Sequence, residues 1–202
     1  MIKVLAADVG FMATGMAIFC HTPEGWKLFD KRCLHTEQGH SEIVESKRAK
    51  TGFVRKHLCS VATDDIRRTE LMATGIINYF IENQCEGLVA EIPGGGAQNA
   101  IAQKCMGAAT AMIAVVRMVL RCPAEWITPN ESRTAAGWVK TDHPEADRAM
   151  IKRFVMAAME AKYPAIADLK IKDKEHIADA CATFEAARGR QLIKSMEGAH
   201  DN

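Results

Sequence analysis

The sequence lacks closely paired cysteines. Its 202 residues include seven cysteines, an odd number, and no two of them have the C-x-x-C spacing of a zinc ribbon. A disulfide framework or a zinc ribbon is therefore not expected. Scattered cysteines are typical of small buried side chains in a reducing compartment, so we expect a cytoplasmic protein.

An excess of charge and a long hydrophobic run are also missing. The formal net charge is only +1, so a nucleic-acid surface would have to come from local clustering. The longest apolar stretch, Ala108 to Leu120, contains Arg117 and is too short to span a bilayer. The N-terminus enters a strand-like run directly. We therefore expect no membrane segment and no signal peptide.

What the sequence does contain is an alternation of predicted strands and helices. Three strand-like runs at 2–8, 14–20 and 26–35 have short connections, which favour an antiparallel meander. The elements predicted after them are a helix at 63–82, a strand at 87–92, a helix at 97–120, a strand at 125–128, a short helix at 130–137 and helices at 144–162 and 175–187. This order predicts an α/β protein with a mixed five-stranded sheet and helices on both faces.

The length favours one domain, at residues 1–188, followed by a frayed C-terminal tail at 189–202. Residues 37–61 are polar and show no clear period, which indicates a long loop or an inserted arm. The predicted helix at 97–120 is apolar almost all round. We expect it to be fully buried, either in the monomer core or at a subunit interface.

Four ionisable residues stand where predicted elements end or where a helix face meets the core. Asp8 ends the first apolar run, and Glu91 ends the run Leu88–Glu91. If these two strands are parallel neighbours, both carboxylates lie in the crevice where open α/β sheets bind ligands. His176 and Asp179 are three residues apart and share one face of the last predicted helix.

Taken singly, each of these residues is unremarkable in a folded chain. Asp8 and Glu91 could each end a strand in a turn, and a single exposed histidine such as His176 is usually a surface residue. Together they predict a site, because clustered buried carboxylates repel one another and favour a divalent cation. Such clusters are typical of enzymes that hydrolyse phosphodiesters. His176 could bind a metal or transfer a proton, and the sequence leaves both roles open.

The motifs around these residues resemble those of the RuvC-type Holliday junction resolvases, a family of the ribonuclease H-like superfamily. The matching segments are Val4–Gly10 followed by Thr14 and Gly15, Val89–Glu91, Met106–Ala109 and His176–Ala180. An isolated D-x-G is a weak signal, whereas the ordered set of acidic motifs is more specific. The resemblance implies a ribonuclease H-like fold over about 180 residues.

The resemblance also implies a chemistry and a partner. Asp8, Glu91 and Asp179 would be catalytic metal ligands, and His176 would complete the site. The cofactor would be two Mg²⁺ ions per site, for which Mn²⁺ would substitute. The substrate would be four-way or otherwise branched DNA, which a homodimer would nick symmetrically.

Two departures from the family pattern indicate a divergent relative, such as a viral one. Members of the family often carry an aromatic residue after the catalytic glutamate, but here residues 92–96 read Ile-Pro-Gly-Gly-Gly. The segment 37–61 is also longer than expected for a bacterial resolvase. Because of these departures, the sequence does not predict whether the protein prefers junctions to other branched DNA.

Basic residues cluster at a few places in this near-neutral chain, which favours local contacts with phosphates. The candidate DNA-binding residues are Lys47, Arg48, Lys50, Arg55, Lys56, Arg67, Arg68, Arg133 and Lys140. The first five would also be ordinary in a solvated loop. We favour DNA contact for them because nuclease-like acids occur in the same chain.

Two alternatives to a junction endonuclease follow from the same sequence. One is a fragment of an actin-like ATPase, a class that also begins with D-x-G after its first strand. Such proteins need a duplicated domain and a second phosphate motif, for which 202 residues are too few. The other is a ribonuclease H-like protein that binds nucleic acid without cleaving it, or with a different specificity.

Overall fold

The computed structural model describes residues 1–37, 39, 41–45, 50, 53–57, 60–94 and 99–198. The side chains of 41–45, 53–57 and 61 are not described. Within these residues the strands are β1 (Lys3–Val9), β2 (Ala13–Thr22), β3 (Gly25–His35), β4 (Ser41–Glu45), β5 (Phe53–His57), β6 (Gly87–Glu91) and β7 (Ala124–Ile127). The helices are α1 (Val61–Glu82), α2 (Ala100–Leu120), α3 (Pro129–Ala135), α4 (Arg148–Lys162), α5 (Ile171–Ala187) and α6 (Gln191–Gly198).

A mixed sheet forms the centre of the fold. Within the described residues it has five strands in the order β3-β2-β1-β6-β7. The pairs β1–β2 and β2–β3 are antiparallel, whereas β6 pairs parallel with both β1 and β7. The predicted meander and the parallel pairing of the Asp8 and Glu91 strands are therefore confirmed. Strands β4 and β5 form a separate antiparallel hairpin within the predicted arm at 37–61.

Alternation along the strands divides the buried residues between two cores. On β1, Val4 and Ala6 join the core beneath α5, whereas Leu5 and Ala7 join the core that includes residues of α1 and α2. Successive side chains of a strand point to opposite faces, so Asp8 belongs to the α5 face. The sheet therefore has helices on both faces, as the sequence predicts.

The N-termini of several helices are fixed by side-chain caps. Thr128 and Glu131 form a reciprocal capping box at the start of α3. Asp147 accepts a hydrogen bond of 2.7 Å from the backbone N–H of Met150 at the start of α4. The sequence predicted that this helix begins at residue 144. It begins at Arg148 instead, because Asp147 supplies the cap and Pro144 lies in the preceding turn.

The predicted frayed tail is wrong over residues 191–198, which form α6. Ile193 is fully buried, and Met196 packs against the core beneath α5. The indole N–H of Trp26 donates a hydrogen bond of 2.6 Å to Glu197. The sequence does not reveal this helix because its stability comes from tertiary contacts rather than from length.

Helix α2 is buried on one side only within the chain, so the expectation that it lies wholly in the monomer core is wrong, whereas burial at a subunit interface stays a prediction. Its buried residues are Ala109, Met112, Ile113 and Val116, all on one side. Ile101, Val115, Met118 and Val119 are between 45% and 75% exposed. By length and composition α2 could cross a membrane, although its buried side packs into the core on the α1 side of the sheet. Several large apolar side chains of α2 therefore remain exposed, among polar ones.

Candidate active site

Asp8 and Glu91 stand directly opposite each other at the ends of two parallel strands. Their Cα atoms are register partners in the β1–β6 pair. Paired residues of neighbouring strands share a face, so both carboxylates lie on the face that α5 covers. Val89, two residues before Glu91, is in the core beneath α5, which agrees with this placement.

Helix α5 brings His176 and Asp179 to the same place, because Gly15 lets it approach the sheet closely. A Cβ atom at Gly15 would lie 2.0 Å from the carbonyl oxygen of His176, a distance that no side chain tolerates. Gly15 is also the register partner of Asp8. His176 Nδ1 lies 3.1 Å from Asp8 Oδ2, so a hydrogen bond joins helix and strand at this point.

The four predicted residues line one cavity of about 240 Å³. Its remaining lining includes three basic side chains that approach from α3 and α4. These are Arg133, Arg148 and Lys152. Lys152 forms an ion pair with Glu175, whereas Arg133 and Arg148 form none with any carboxylate that the structure describes. The cavity therefore combines acidic and basic side chains, and the charges of Arg133 and Lys152 partly stabilise the ionised carboxylates.

Burial and mutual repulsion raise the pKa values of two of the carboxylates, as expected for a cation site without its ion. Burial, reinforced by the nearby charge of Asp8, raises the pKa of Glu91 to about 7. Burial and the charges of Asp8 and Glu91 also raise the pKa of Asp179 far above its usual range. The ionised cluster is unfavourable by itself, and a bound divalent cation would relieve this repulsion. Three oxygen-donor side chains and one imidazole thus fit a hard divalent cation.

Two hydroxyl groups support Glu91 from the neighbouring helices. Ser132 of α3 and Thr183 of α5 lie 3.2 Å apart, oxygen to oxygen, and both are buried. The Thr183 hydroxyl donates to the carbonyl oxygen of Asp179. The two polar groups beside Glu91 lower its pKa, but less than burial raises it. Ser132, Arg148 and Lys152 were not predicted from the sequence as site residues. The last two could have been found as an i, i+4 basic pair on one helix face.

The predicted DNA-binding residues fall into several groups. Lys47 and Arg48 lie outside the described residues, and Lys50 is exposed. Arg55 and Lys56 belong to β5, where side chains are not described.

The remaining four are described in full. Arg133 lines the acidic cavity, and Lys140 lines a neighbouring one of about 460 Å³ that shares Arg133 with it. Arg67 is exposed, although it donates hydrogen bonds to Asp64 and to the carbonyl oxygen of Glu37.

The burial of Arg68 contradicts the prediction that this residue contacts DNA. Its side chain is buried, with 2% of the residue exposed. The guanidinium lies 4.2 Å from the centroid of the Phe11 ring and donates a hydrogen bond of 3.1 Å to the Thr36 hydroxyl. Arg68 therefore joins α1 to the β1–β2 turn and the end of β3. It is a structural residue and not a DNA contact.

Comparisons with known proteins bear on the fold. No protein-family model and no curated protein sequence matches the chain. Among solved structures, Thermus thermophilus RuvC in complex with a Holliday junction substrate is similar, with a TM-score of 0.56 over 92% of each chain and 12% identity. The chain has the RuvC fold. A second Thermus thermophilus RuvC structure has a TM-score of 0.55 and 16% identity, covering 93% of this chain and 96% of that one.

A third similar structure is the yeast mitochondrial Holliday junction resolvase. Its TM-score is 0.51 at 8% identity, covering 92% of this chain and 77% of that one. The similarity to RuvC therefore confirms the predicted ribonuclease H-like α/β fold. It also confirms the resemblance to RuvC-type resolvases at the level of the fold.

Proposed function

We propose that this chain is a metal-dependent endonuclease that cleaves branched DNA, with the four-way junction as its principal substrate. One observation carries the proposal. Asp8, Glu91, His176 and Asp179 converge in one cavity whose basic walls suit a phosphate backbone. Similarity to RuvC over 92% of each chain favours this function over a fragment of a duplicated actin-like ATPase.

The carboxylates of Asp8, Glu91 and Asp179 would hold the cation, and we propose two Mg²⁺ ions per site. When bound, a divalent cation lowers the pKa of water and offsets charge on the phosphate. Hydrolysis joins a water oxygen to phosphorus and breaks the bond from phosphorus to the sugar oxygen, which takes up a proton. His176 is placed by its hydrogen bond to Asp8, and its second ring nitrogen is available to accept or donate that proton.

Arg133 and Arg148 would bind phosphates on either side of the cleaved bond. Both line the cavity, and neither forms a close ion pair with a carboxylate among the described residues. Lys140 and the basic residues of the arm would extend this contact along a DNA strand, as the sequence predicts. Phosphate contacts give affinity without base specificity, which suits recognition of a branched shape.

The exposed side of α2 supports a homodimer. Met118 is 67% exposed and Ile101 is 75% exposed, on a helix whose opposite side is core. Exposed apolar side chains mark protein interfaces where they form a patch. A two-fold dimer with one site in each subunit would match the two strands that must be nicked at a four-way junction.

The proposal is tested by cleavage of matched four-way junction, flap and linear duplex substrates with Mg²⁺ and with EDTA. We expect Mg²⁺-dependent nicking, fastest on the junction. Asp8→Asn and Asp179→Asn should abolish nicking and retain junction binding, whereas Glu70→Gln, an exposed acid on α1, should leave both intact. Binding without cleavage by the wild-type protein would instead favour the non-catalytic alternative. A preference for flaps would revise the substrate.

A further inference from the structure

A second cluster of potential metal ligands lies beside the acidic cavity but differs from it in chemistry. It consists of Cys33 and His35 on β3 and Asp173 in the first turn of α5. One ligand atom from each residue lies within 4.8 Å of the other two. His35 Nε2 and Asp173 Oδ1 are 2.6 Å apart.

The sheet register explains how this cluster forms. Gly15 on β2 pairs with Asp8 on one side and with Cys33 on the other. Cys33 therefore lies on the same face as Asp8, two strands away, which is about 10 Å at the usual strand spacing. His35 follows at i+2 and shares that face. The close approach of α5 over Gly15 then places Asp173 above them.

We infer that Cys33, His35 and Asp173 form a binding site for a Zn²⁺-class ion, with a fourth position open to water. Zinc binds thiolate, imidazole and carboxylate ligands at about 2.0–2.3 Å, which holds neighbouring ligand atoms about 3.5 Å apart. Small side-chain rotations would bring the three atoms to that spacing. The side chains of His35 and Asp173 are 31% and 33% exposed, so an ion can enter from solvent.

The ligand chemistry separates this site from the carboxylate cluster. A thiolate selects soft or borderline ions such as Zn²⁺, whereas the carboxylates of Asp8, Glu91 and Asp179 suit Mg²⁺. The two sites can therefore hold different ions at one end of the sheet. Burial and the charges of Asp173 and Asp8 raise the pKa of the Cys33 thiol to about 12, which makes it a poor nucleophile without a metal.

An ion at this site would connect the end of β3 to the first turn of α5. His176 lies one turn after Asp173, and its ring centroid is 6.4 Å from that of His35. The ion would thus fix the segment that carries His176 toward Asp8. This role is structural, and the site exists whether or not the protein cleaves DNA.

Cobalt titration of the full chain tests the inference, because Co²⁺ replaces Zn²⁺ and reports a thiolate ligand by a charge-transfer absorption band. We expect the band to saturate at one Co²⁺ per chain, because an ion in the carboxylate cluster has no thiolate ligand, and we expect Zn²⁺ to remove the band. Cys33→Ser should abolish the band, and His35→Gln or Asp173→Asn should weaken binding at least about tenfold. Cys105→Ser, a half-buried cysteine of α2, and Asp8→Asn should retain it.

Two controls separate the loss of a ligand from the loss of the fold. Thermal melting without metal shows whether Cys33→Ser still folds, and the exposed His35→Gln supplies a second variant if it does not. Absence of the band in the wild-type protein, or its survival in Cys33→Ser, would overturn the inference. Failure to cleave junctions would count against the proposed nuclease but would leave the cobalt result unaffected.

Discussion

Substitution of Gly15 by alanine tests the contact that assembles the active site. The new Cβ would lie 2.0 Å from the carbonyl oxygen and 2.2 Å from the carbonyl carbon of His176, both backbone atoms. Relief of these clashes to at least 3.0 Å requires α5 to move by about 1 Å. His176 and Asp179 would move with it. We expect a loss of about 1–3 kcal/mol in stability from overpacking and about 10²-fold in cleavage rate.

The assay combines thermal melting with single-turnover cleavage of a four-way junction. For a chain of this size the stability loss corresponds to a fall in Tm of about 2–12 °C. Gly189→Ala is the matched control, because a Cβ there meets no atom within 4 Å. If Gly15→Ala melts and cleaves like the wild type, close packing of α5 against Gly15 does not position His176 and Asp179.

Three further predictions concern charge and assembly. Because burial raises the pKa of Glu91 from 4.5 to about 7, the metal-free protein should lose about 1–3 kcal/mol as pH rises from 5 to 8, as measured by denaturant unfolding. Glu91→Gln should reduce the pH-dependent loss to the part that Asp179 contributes, and an equal pH slope in Glu91→Gln would contradict the prediction. Arg133→Gln with Arg148→Gln should weaken junction binding and flatten the plot of log affinity against log salt by about 0.9 for each lost phosphate contact. An unchanged slope would mean that neither arginine contacts DNA. Met118→Glu should convert a dimer into folded monomers, as measured by sedimentation equilibrium. If the wild-type protein is already monomeric at micromolar concentration, α2 is not a dimer interface.

The sheet and its acidic residues could be predicted from the sequence because their signals are local. Buried strands read as short apolar runs, and Asp8 and Glu91 interrupt such runs at their ends. The i, i+3 spacing of His176 and Asp179 needs only the helix period. These local patterns are sufficient to place the four residues at one end of the sheet once the parallel pairing is assumed.

The features that the sequence did not reveal depend on tertiary contacts. Arg68 reads as one of several basic residues, and only the fold brings the Phe11 ring and Thr36 around it. Ile193 is buried on a short polar helix that offers no long periodic pattern. The hydrogen bond between Ser132 and Thr183 joins residues 51 positions apart. Sequence periodicity contains no information at that range.

Cleavage of a supercoiled plasmid that extrudes a cruciform tests most directly whether the three carboxylates hold a catalytic metal. Two nicks in one binding event give linear DNA, whereas a single nick gives an open circle. With Mg²⁺, we expect linear product from the wild-type protein and from Glu70→Gln. We expect no product from Asp8→Asn, Glu91→Gln or Asp179→Asn, or when EDTA is present. Linear product from any of these three variants, or from wild-type protein in EDTA, would contradict a site in which these carboxylates hold the catalytic metal.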